Sequence, residues 1–244
     1  MKAFVMHQFI ILACIMFPIE TLNAMPKDYE AIYSVKLMQA DGTLRAKLES
    51  KEVPLCSYHC VSYIFSLKTQ PTGFWKLIAN GGIDESSEFE IIDEKIRPIN
   101  YRLMDTIRRN TRKSEVNFDW SKKVIEGFYK DRSINFKLEE PILTRILLQI
   151  EIMHGKQKNN LQDSYLIIDK DEIKQIDITS SNTGKRISVP FGSYDVIKVS
   201  HQSKNSNRIN TFWLAPDLDF IPVKLEQIQD NKVNFEANLV QLIQ

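Results

Sequence analysis

Along most of the chain, apolar side chains occupy every second position. That is the period of a β-strand burying one face and wetting the other. Tyr29, Ala31, Tyr33, Val35 and Leu37 alternate with more polar neighbours. Asp41-Gly42 is a strong turn signal, and Leu44, Ala46 and Leu48 then resume the alternation, which predicts an N-terminal hairpin. Val61, Tyr63, Phe65 and Leu67 make a third strand, Phe89 and Ile91 a fourth, and Ile99, Tyr101 and Leu103 a fifth. Val116, Phe118 and Trp120 follow, turning through Ser121-Lys122-Lys123. Further strands are read over Tyr165–Ile168, Ile173–Ile178, Ile187–Val189 and Tyr194–Val199. Strands of a parallel sheet are covered on both faces and read as continuous apolar runs; strict alternation belongs to an antiparallel sheet. A sheet this large has to curl.

Two segments break the pattern. Phe74–Asn80, before Gly81-Gly82, predicts a short helix with glycine at its end. A stronger helix is predicted from Pro141 to His154, with Gly155 as its stop. Ile142, Leu143, Ile146, Leu147, Ile150 and Met153 share one broad stripe, while Leu148 and Ile152 lie on the other side. A helix this apolar must be covered on more than one side, and laying it across the concave face of the curled sheet achieves that. Its surplus apolar surface would meet a second layer or a bound apolar ligand. The expected class is therefore mainly β: a curled, unclosed antiparallel sheet, or half-barrel, with one main helix and a short second one.

The first two dozen residues have the form of an export signal. Lys2 is the only early charge, Phe9–Phe17 is an apolar run, and Leu22-Asn23-Ala24 ends in the small residue that a signal peptidase needs. Cleavage is expected after Ala24, leaving residues 25–244 as a single β-rich domain in the periplasm. A transmembrane anchor needs roughly 18 to 20 consecutive apolar residues, and Pro18 and Glu20 interrupt too soon. Ile11-Leu12-Ala13-Cys14 also has the form of a lipobox, with Cys14 as the lipid acceptor, although the apolar Ile15-Met16-Phe17 after it would make an odd tether. The remaining length of about 220 residues permits one sizeable core. The formal net charge of +1 gives no general attraction to nucleic acid. Lys68 and the Arg108–Lys113 cluster are local basic spots, read as solvated surface.

Phe212–Gln227 reads as strand, turn, strand. Ile209, Thr211 and Trp213 alternate with Asn210, Phe212 and Leu214, Ala215-Pro216-Asp217 breaks the run, and Val223 and Leu225 resume it. Pro222 is tolerable at a strand's start or on an edge. This stretch, with Trp213, Pro216, Asp219 and Pro222, resembles a signature of a bacterial envelope family designated domain of unknown function 3108. Arg97 and Pro98 in Ile96–Tyr101, Asp119 and Trp120 in Asn117–Trp120, the segment Leu143–Ile146, and Gly192, Tyr194 and Asp195 in Val189–Val199 agree with it. The resemblance implies location and shape and brings no established activity. At the level of shape it is also similar to lipoprotein-carrier half-barrels, in which helices partly lid an apolar cavity; such an analogy is a weak warrant for function.

The residues offer little chemistry. Cys56 and Cys60 would remain after cleavage, and an oxidising compartment permits a disulfide. In one straight strand their α-carbons would stand roughly 13 Å apart, beyond the limit of about 7 Å for a bridge. A turn at Ser57-Tyr58-His59 would bring them together, so both states stay open. His59 lacks a second Cys/His cluster at zinc-ligand spacing, and no metal or other cofactor is expected. There is no phosphate loop, Gly-x-Ser-x-Gly elbow or His-Glu-x-x-His helix. His59, His154 and His201 are far apart and read as surface or cap residues, His154 as a cation in the last turn of its helix. Asp217 and Asp219 suit turn chemistry better than acid/base work. Ser193 follows Gly192 in a tight turn without a partner base, and Arg97 reads as a loop brace.

A non-enzymatic envelope protein is therefore expected. The leading expectation is binding of an apolar or lipid-linked ligand in the concavity, lined by Tyr33, Tyr63, Phe118, Trp120, Leu143, Leu147, Ile150 and Trp213. Ordinary core packing accounts for each of these residues as well. The alternative is an interaction module that meets an envelope protein partner through exposed strand edges or the Arg108–Lys113 loop. A packed interior favours the second.

Overall fold

A computed structural model describes residues 27–52, 61–79, 81–107 and 111–244. The predicted leader, Cys14, Cys56, His59 and Cys60 lie outside these residues. In chain order the elements are β1 (Tyr29–Leu37), β2 (Ala40–Glu52), β3 (Val61–Pro71), α1 (Trp75–Ile78), β4 (Ile83–Ile92), β5 (Lys95–Asp105), β6 (Arg112–Asp119), β7 (Val124–Tyr129) and β8 (Arg132–Lys137). There follow β9 (Ile142–Thr144), α2 (Leu147–Lys158), β10 (Ser164–Asp169), β11 (Glu172–Val189), β12 (Gly192–Ser203), β13 (Arg208–Ala215), a 3-10 turn (Pro216–Leu218), β14 (Ile221–Gln229) and β15 (Lys232–Ile243).

All fifteen strands form one sheet, in the order β8-β7-β6-β5-β4-β3-β2-β1-β15-β14-β13-β12-β11-β10-β9. Every neighbour in space is a neighbour in sequence except β1 and β15, so the sheet is one long meander whose two ends meet in its middle. Among the described residues its free edges are β8 and β9, and no pairing closes it. The pairs are antiparallel throughout, save β9, which runs parallel to β10. The expected mainly β class, with an unclosed antiparallel sheet, one main helix and a short second one, is what the chain forms.

Directly opposed residues of an antiparallel ladder share a face. One such row runs Tyr29, Leu48, Phe65, Ser87, Tyr101, Val116, Gly127 and Ile134 across eight strands. All of these but Gly127 are buried. On the other side of the meander the row Val35, Ala237, Leu225, Phe212 and Val199 is the counterpart. The inner face is thus largely apolar, and its apolar residues join α2 in a single hydrophobic cluster.

Three local expectations are corrected. The first hairpin turns at Met38-Gln39, and Asp41 and Gly42 lie inside β2, paired with Lys36 and Val35. Met38 adopts a left-handed φ of 56°. Gly42 is needed for close approach instead, since a Cβ there would meet the Gln70 carbonyl oxygen at 2.8 Å. The helix expected from Pro141 begins only at Leu147, because Ile142–Thr144 first pair with Leu166–Ile168. It also runs through Gly155 to Lys158, and Asn159, at φ 55°, supplies the left-handed cap. Gly155 serves the contact with Leu161, whose Cα would lie 3.0 Å from an added Cβ.

Helix α2 is enclosed all round. Leu147, Leu148, Gln149, Ile150, Ile152, Met153, His154 and Gly155 are all buried. It is tied from several sides: the Tyr29 hydroxyl lies 4.0 Å from the Met153 sulfur, Lys158 Nζ is 2.8 Å from Glu94, and Gln157 Nε2 donates to the Asp219 carbonyl at 3.2 Å. Each fully buried Leu, Ile or Met is worth roughly 1.5–3 kcal/mol, so this helix and the sheet around it are a single packing unit.

Candidate functional site

The residues read from the sequence as a ligand lining are distributed as follows. Tyr33, Leu143, Leu147 and Ile150 are at most 4% exposed and Phe118 is 6% exposed, all within the cluster that contains α2. Tyr63 and Trp120 are half-buried against it. Tyr63 stacks on Phe89, with ring centroids 5.4 Å apart, and the Tyr33 hydroxyl donates to the Pro222 carbonyl at 2.8 Å. Trp213 is not brought to the same face. It stands opposite Lys198 and Lys224, in the row that continues to Asn238 and Ser34. The Lys198 ammonium lies 5.4 Å from its ring centroid. Seven of the eight therefore share the inner side of the sheet, where the side chains of α2 fill the space between them.

The signature residues make local braces. Trp120 Nε1 donates to the Pro98 carbonyl at 2.7 Å, and the Arg97 guanidinium lies 4.4 Å over the Trp120 ring. Arg97 also approaches Glu90 at 3.8 Å. This joins the β4–β5 hairpin to the turn after β6. Asp119 accepts from Ser121 Oγ at 2.6 Å and from the Lys122 amide at 2.9 Å. Those bonds and the neighbouring Lys122 ammonium hold its carboxyl well below the usual range. Tyr194 stacks with Phe191, next to Gly192, and Asp195 pairs with Arg186 at 3.4 Å. Pro216 opens the 3-10 turn, while Asp219 and Phe220 both take positive φ. Pro222 is accommodated because the pairing of β14 with β15 begins only at Lys224.

A charged cluster at the N-terminal end of α2 was not legible in the sequence. Glu85 lies on the inner face, almost wholly buried, and accepts from Tyr101 Oη at 2.8 Å and from Arg145 Nε at 2.7 Å; a second Arg145 nitrogen reaches its other oxygen. Burial first, and then the Glu85 charge, raise the Tyr101 phenol far above its ordinary value. Burial pulls the Arg145 guanidinium down, but Glu85, Tyr101 and Asp169 more than offset it and keep it charged. Next to this, buried Asp105 holds Arg112 through Nε at 2.8 Å. Of the basic spot expected at a solvated loop, Arg112 is thus turned inward and Lys113 is exposed, while Arg108 and Arg109 lie outside the described residues. A cleft of about 70 Å³ opens between Arg112, Tyr129, Arg145, Asp169 and Lys170. Arg112, Arg145 and Asp169 are already paired, with Asp105, Glu85 and Lys174, so its chemistry is that of an ion-pair lattice fastening β9 and α2 to β4, β5 and β6. Arg145, 60 residues from Glu85, was a visible oddity in an apolar segment, but its partner was not.

A shallow groove of about 390 Å³ lies on the outer face of β3 to β7, lined by Lys68, Asp84, Arg102, Met104, Lys113 and Phe128. Lys68 pairs there with Asp84 at 3.4 Å and Arg102 with Glu115 at 3.5 Å.

Neither described histidine behaves as a surface cation. His154 is buried within α2, and desolvation, with the nearby Lys158 charge, lowers its pKa. His201 packs on Phe212 with ring centroids 5.1 Å apart, and burial pushes its pKa down to about 4. Both are neutral packing residues near pH 7. Among the described residues no three His, Cys, Asp or Glu side chains converge as metal ligands. No described helix is long and apolar enough to cross a membrane.

The family described as "Protein of unknown function (DUF3108)" matches residues 29–238. The chain belongs to that family. Its span runs from the first residue of β1 to the middle of β15, so the DUF3108 unit takes in β1 to β14, α2 and the first half of β15. A crystal structure of a beta-barrel-like protein of the domain of unknown function DUF1849, from Brucella abortus, is similar to the DUF3108 chain. The two share 10% identity over 89% of this chain and 98% of that one, with a TM-score of 0.53. At that identity the likeness is one of fold. No curated protein matches the sequence.

Proposed function

We propose that this DUF3108 protein is an exported, non-catalytic interaction module of the cell envelope, acting through its outer surface while its concave interior is filled by its own helix. The burial of Leu147, Leu148, Ile150, Ile152 and Met153 on all sides of α2 carries this reading. A carrier for an apolar ligand needs a space its own side chains leave open, and here the inner row and the helix share one continuous cluster. The ion pairs of Arg145 and Arg112 fit a device that locks the helix in place.

The carrier reading keeps one observation in its favour: Thr144 Oγ1 and Gln149 Nε2 are buried without a hydrogen-bond partner. A ligand headgroup could satisfy such atoms. Native mass spectrometry, with lipid extraction, of the mature protein purified gently from its own envelope separates the two. A clean mass beginning at Met25 is the expected result and also tests cleavage after Ala24. A stoichiometric adduct that extracts into organic solvent would overturn the interaction reading in favour of a carrier.

A further inference from the structure

Alternate turns of an antiparallel meander lie at the same end of its sheet. The turns after β1, β3, β5, β7, β10, β12 and β14 therefore share one rim, and those after β2, β4, β6, β11 and β13 share the other. On the first rim, α1 projects between β3 and β4 with none of its residues buried. Leu77 is 81% exposed, Phe74 68% and Ile78 60%, and Met38 in the neighbouring β1–β2 turn is 77% exposed. Val233, after the β14–β15 turn, is 52% exposed. The three turns adjoin: the Thr72 amide donates to the Asp41 carbonyl at 3.0 Å and the Met38 amide to the Asn234 carbonyl at 2.9 Å. Large side chains this bare, gathered on one short arc, are costly in water unless something covers them.

The charge on this rim says what covers them. Exposed lysines stand at its turns: Lys36, Lys76, Lys130, Lys170, Lys204 and Lys232. Asp41, Asp131, Asp171, Glu172 and Asp230 accompany them, fewer in number, and Asp171 is already paired with Arg132 at 2.5 Å and Glu172 with Lys174 at 3.5 Å. The opposite rim carries Asp93, Glu94, Glu139, Glu140, Asp217 and Asp219 at its turns, against Lys95, Lys122, Lys123 and Lys137. The molecule therefore has a weakly basic end and a weakly acidic end, with a net charge of +1. Protruding apolar side chains beside lysines whose long stems reach past them match a bilayer surface, where the apolar tips enter the acyl boundary and the ammonium groups meet phosphates.

We infer that the rim bearing α1 docks on a lipid surface rich in anionic headgroups, with Phe74, Leu77, Ile78 and Met38 entering the bilayer boundary and the surrounding lysines binding phosphates. This deepens the interaction-module reading and rests on it. The partner is the membrane itself, held at its surface, with no strand or helix crossing it. The acidic rim points away, which orients the molecule in the field of the membrane.

The test is co-sedimentation of the purified mature protein with vesicles of equal parts phosphatidylglycerol and phosphatidylcholine, against vesicles of phosphatidylcholine alone. Binding is expected only to the anionic vesicles, and it weakens sharply at about 1 M salt, where the Debye length falls to about 3 Å. Leu77→Asp combined with Ile78→Asp lowers partitioning by about tenfold or more, and Lys76→Glu with Lys232→Glu lowers it by a similar factor. These positions are exposed, so melting temperatures stay unchanged and loss of binding is not loss of fold. Equal binding to both vesicle types, or full binding by the Leu77→Asp, Ile78→Asp variant, overturns the inference. So does a photo-cross-linker at position 78 that captures an envelope protein while the vesicles stay bare. A clean native mass with no vesicle binding counts against this docking alone. An extractable internal lipid that survives the α1 variant counts against the interaction-module reading itself.

Discussion

Replacing Ile150 with alanine tests whether the interior is core or cavity. Ile150 is fully buried in the first turn of α2. The change removes three carbons, and at about 0.8 kcal/mol per buried methylene the lost transfer free energy is about 2.4 kcal/mol. If the enclosing strands relax little, a void of roughly 70 Å³ adds about 1.7 kcal/mol, at about 24 cal/mol per Å³. The expected cost is therefore about 4 kcal/mol, a large share of the total stability of a domain. Urea unfolding followed by tryptophan fluorescence measures it, with the slope m unchanged so that the shift in midpoint reports stability. Leu77→Ala on the exposed α1 is the control and should stay within about 0.5 kcal/mol of the parent. A cost below about 1.5 kcal/mol for Ile150→Ala would mean that its side chain faces space a ligand or water can fill, and would refute the packed-interior argument.

The remaining predictions concern buried charge. Arg145→Met strands the buried Glu85 carboxylate and should cost about 2–3 kcal/mol, less than a fully buried pair because Arg145 is partly open to water. Adding Glu85→Gln should recover at least half of that, and additive losses in the double-mutant cycle would show the two groups uncoupled. Burial pushes the Glu151 carboxyl up to about 6, a Tyr165 hydrogen bond offsetting part of the rise. Because its folded pKa is raised, the fold favours the protonated form. Its stabilising contribution is full below about pH 4.5 and is lost as pH rises through 6, so Glu151→Gln should gain about 1–2 kcal/mol at pH 7.5 and nothing at pH 4. His201 has the opposite sign, since burial depresses it to about 4. Its neutral form stabilises the fold above pH 6.5, and about 2 kcal/mol should disappear as pH falls towards 4, allowing for its partial exposure. His201→Phe should flatten that acid limb in urea midpoints measured from pH 7 to 4.5; an unchanged slope would assign it elsewhere.

Much of the strand pattern was open to inspection in the sequence. Tyr29 to Val35, Leu44 to Leu48 and Tyr63 to Leu67 alternate because successive side chains of an extended backbone point to opposite faces, a property of local geometry needing no partner. β7, β8 and β15 were harder. Val124-Ile125 and Phe128-Tyr129 are adjacent apolar pairs around Gly127, β8 is short, and Leu239-Val240 and Leu242-Ile243 blur the end of an otherwise regular strand. The bracing by Arg97 was foreseeable from an arginine beside a proline at a strand start. Its ring partner, Trp120, came from another hairpin. Trp213 alternated correctly but gave no clue to which face was inner.

The sequence by itself determined that this is a one-sided antiparallel β-protein with a helix too apolar to stand in water, because period and composition are written residue by residue. Only the tertiary structure decided that β1 pairs with β15, that Ile142–Thr144 leave the helix to pair in parallel with β10, and that Glu85 meets Arg145. Each of these joins segments far apart in sequence. Each is chosen by the burial and pairing it gains once the whole sheet curls around α2, and that energy has no counterpart in any single stretch of chain.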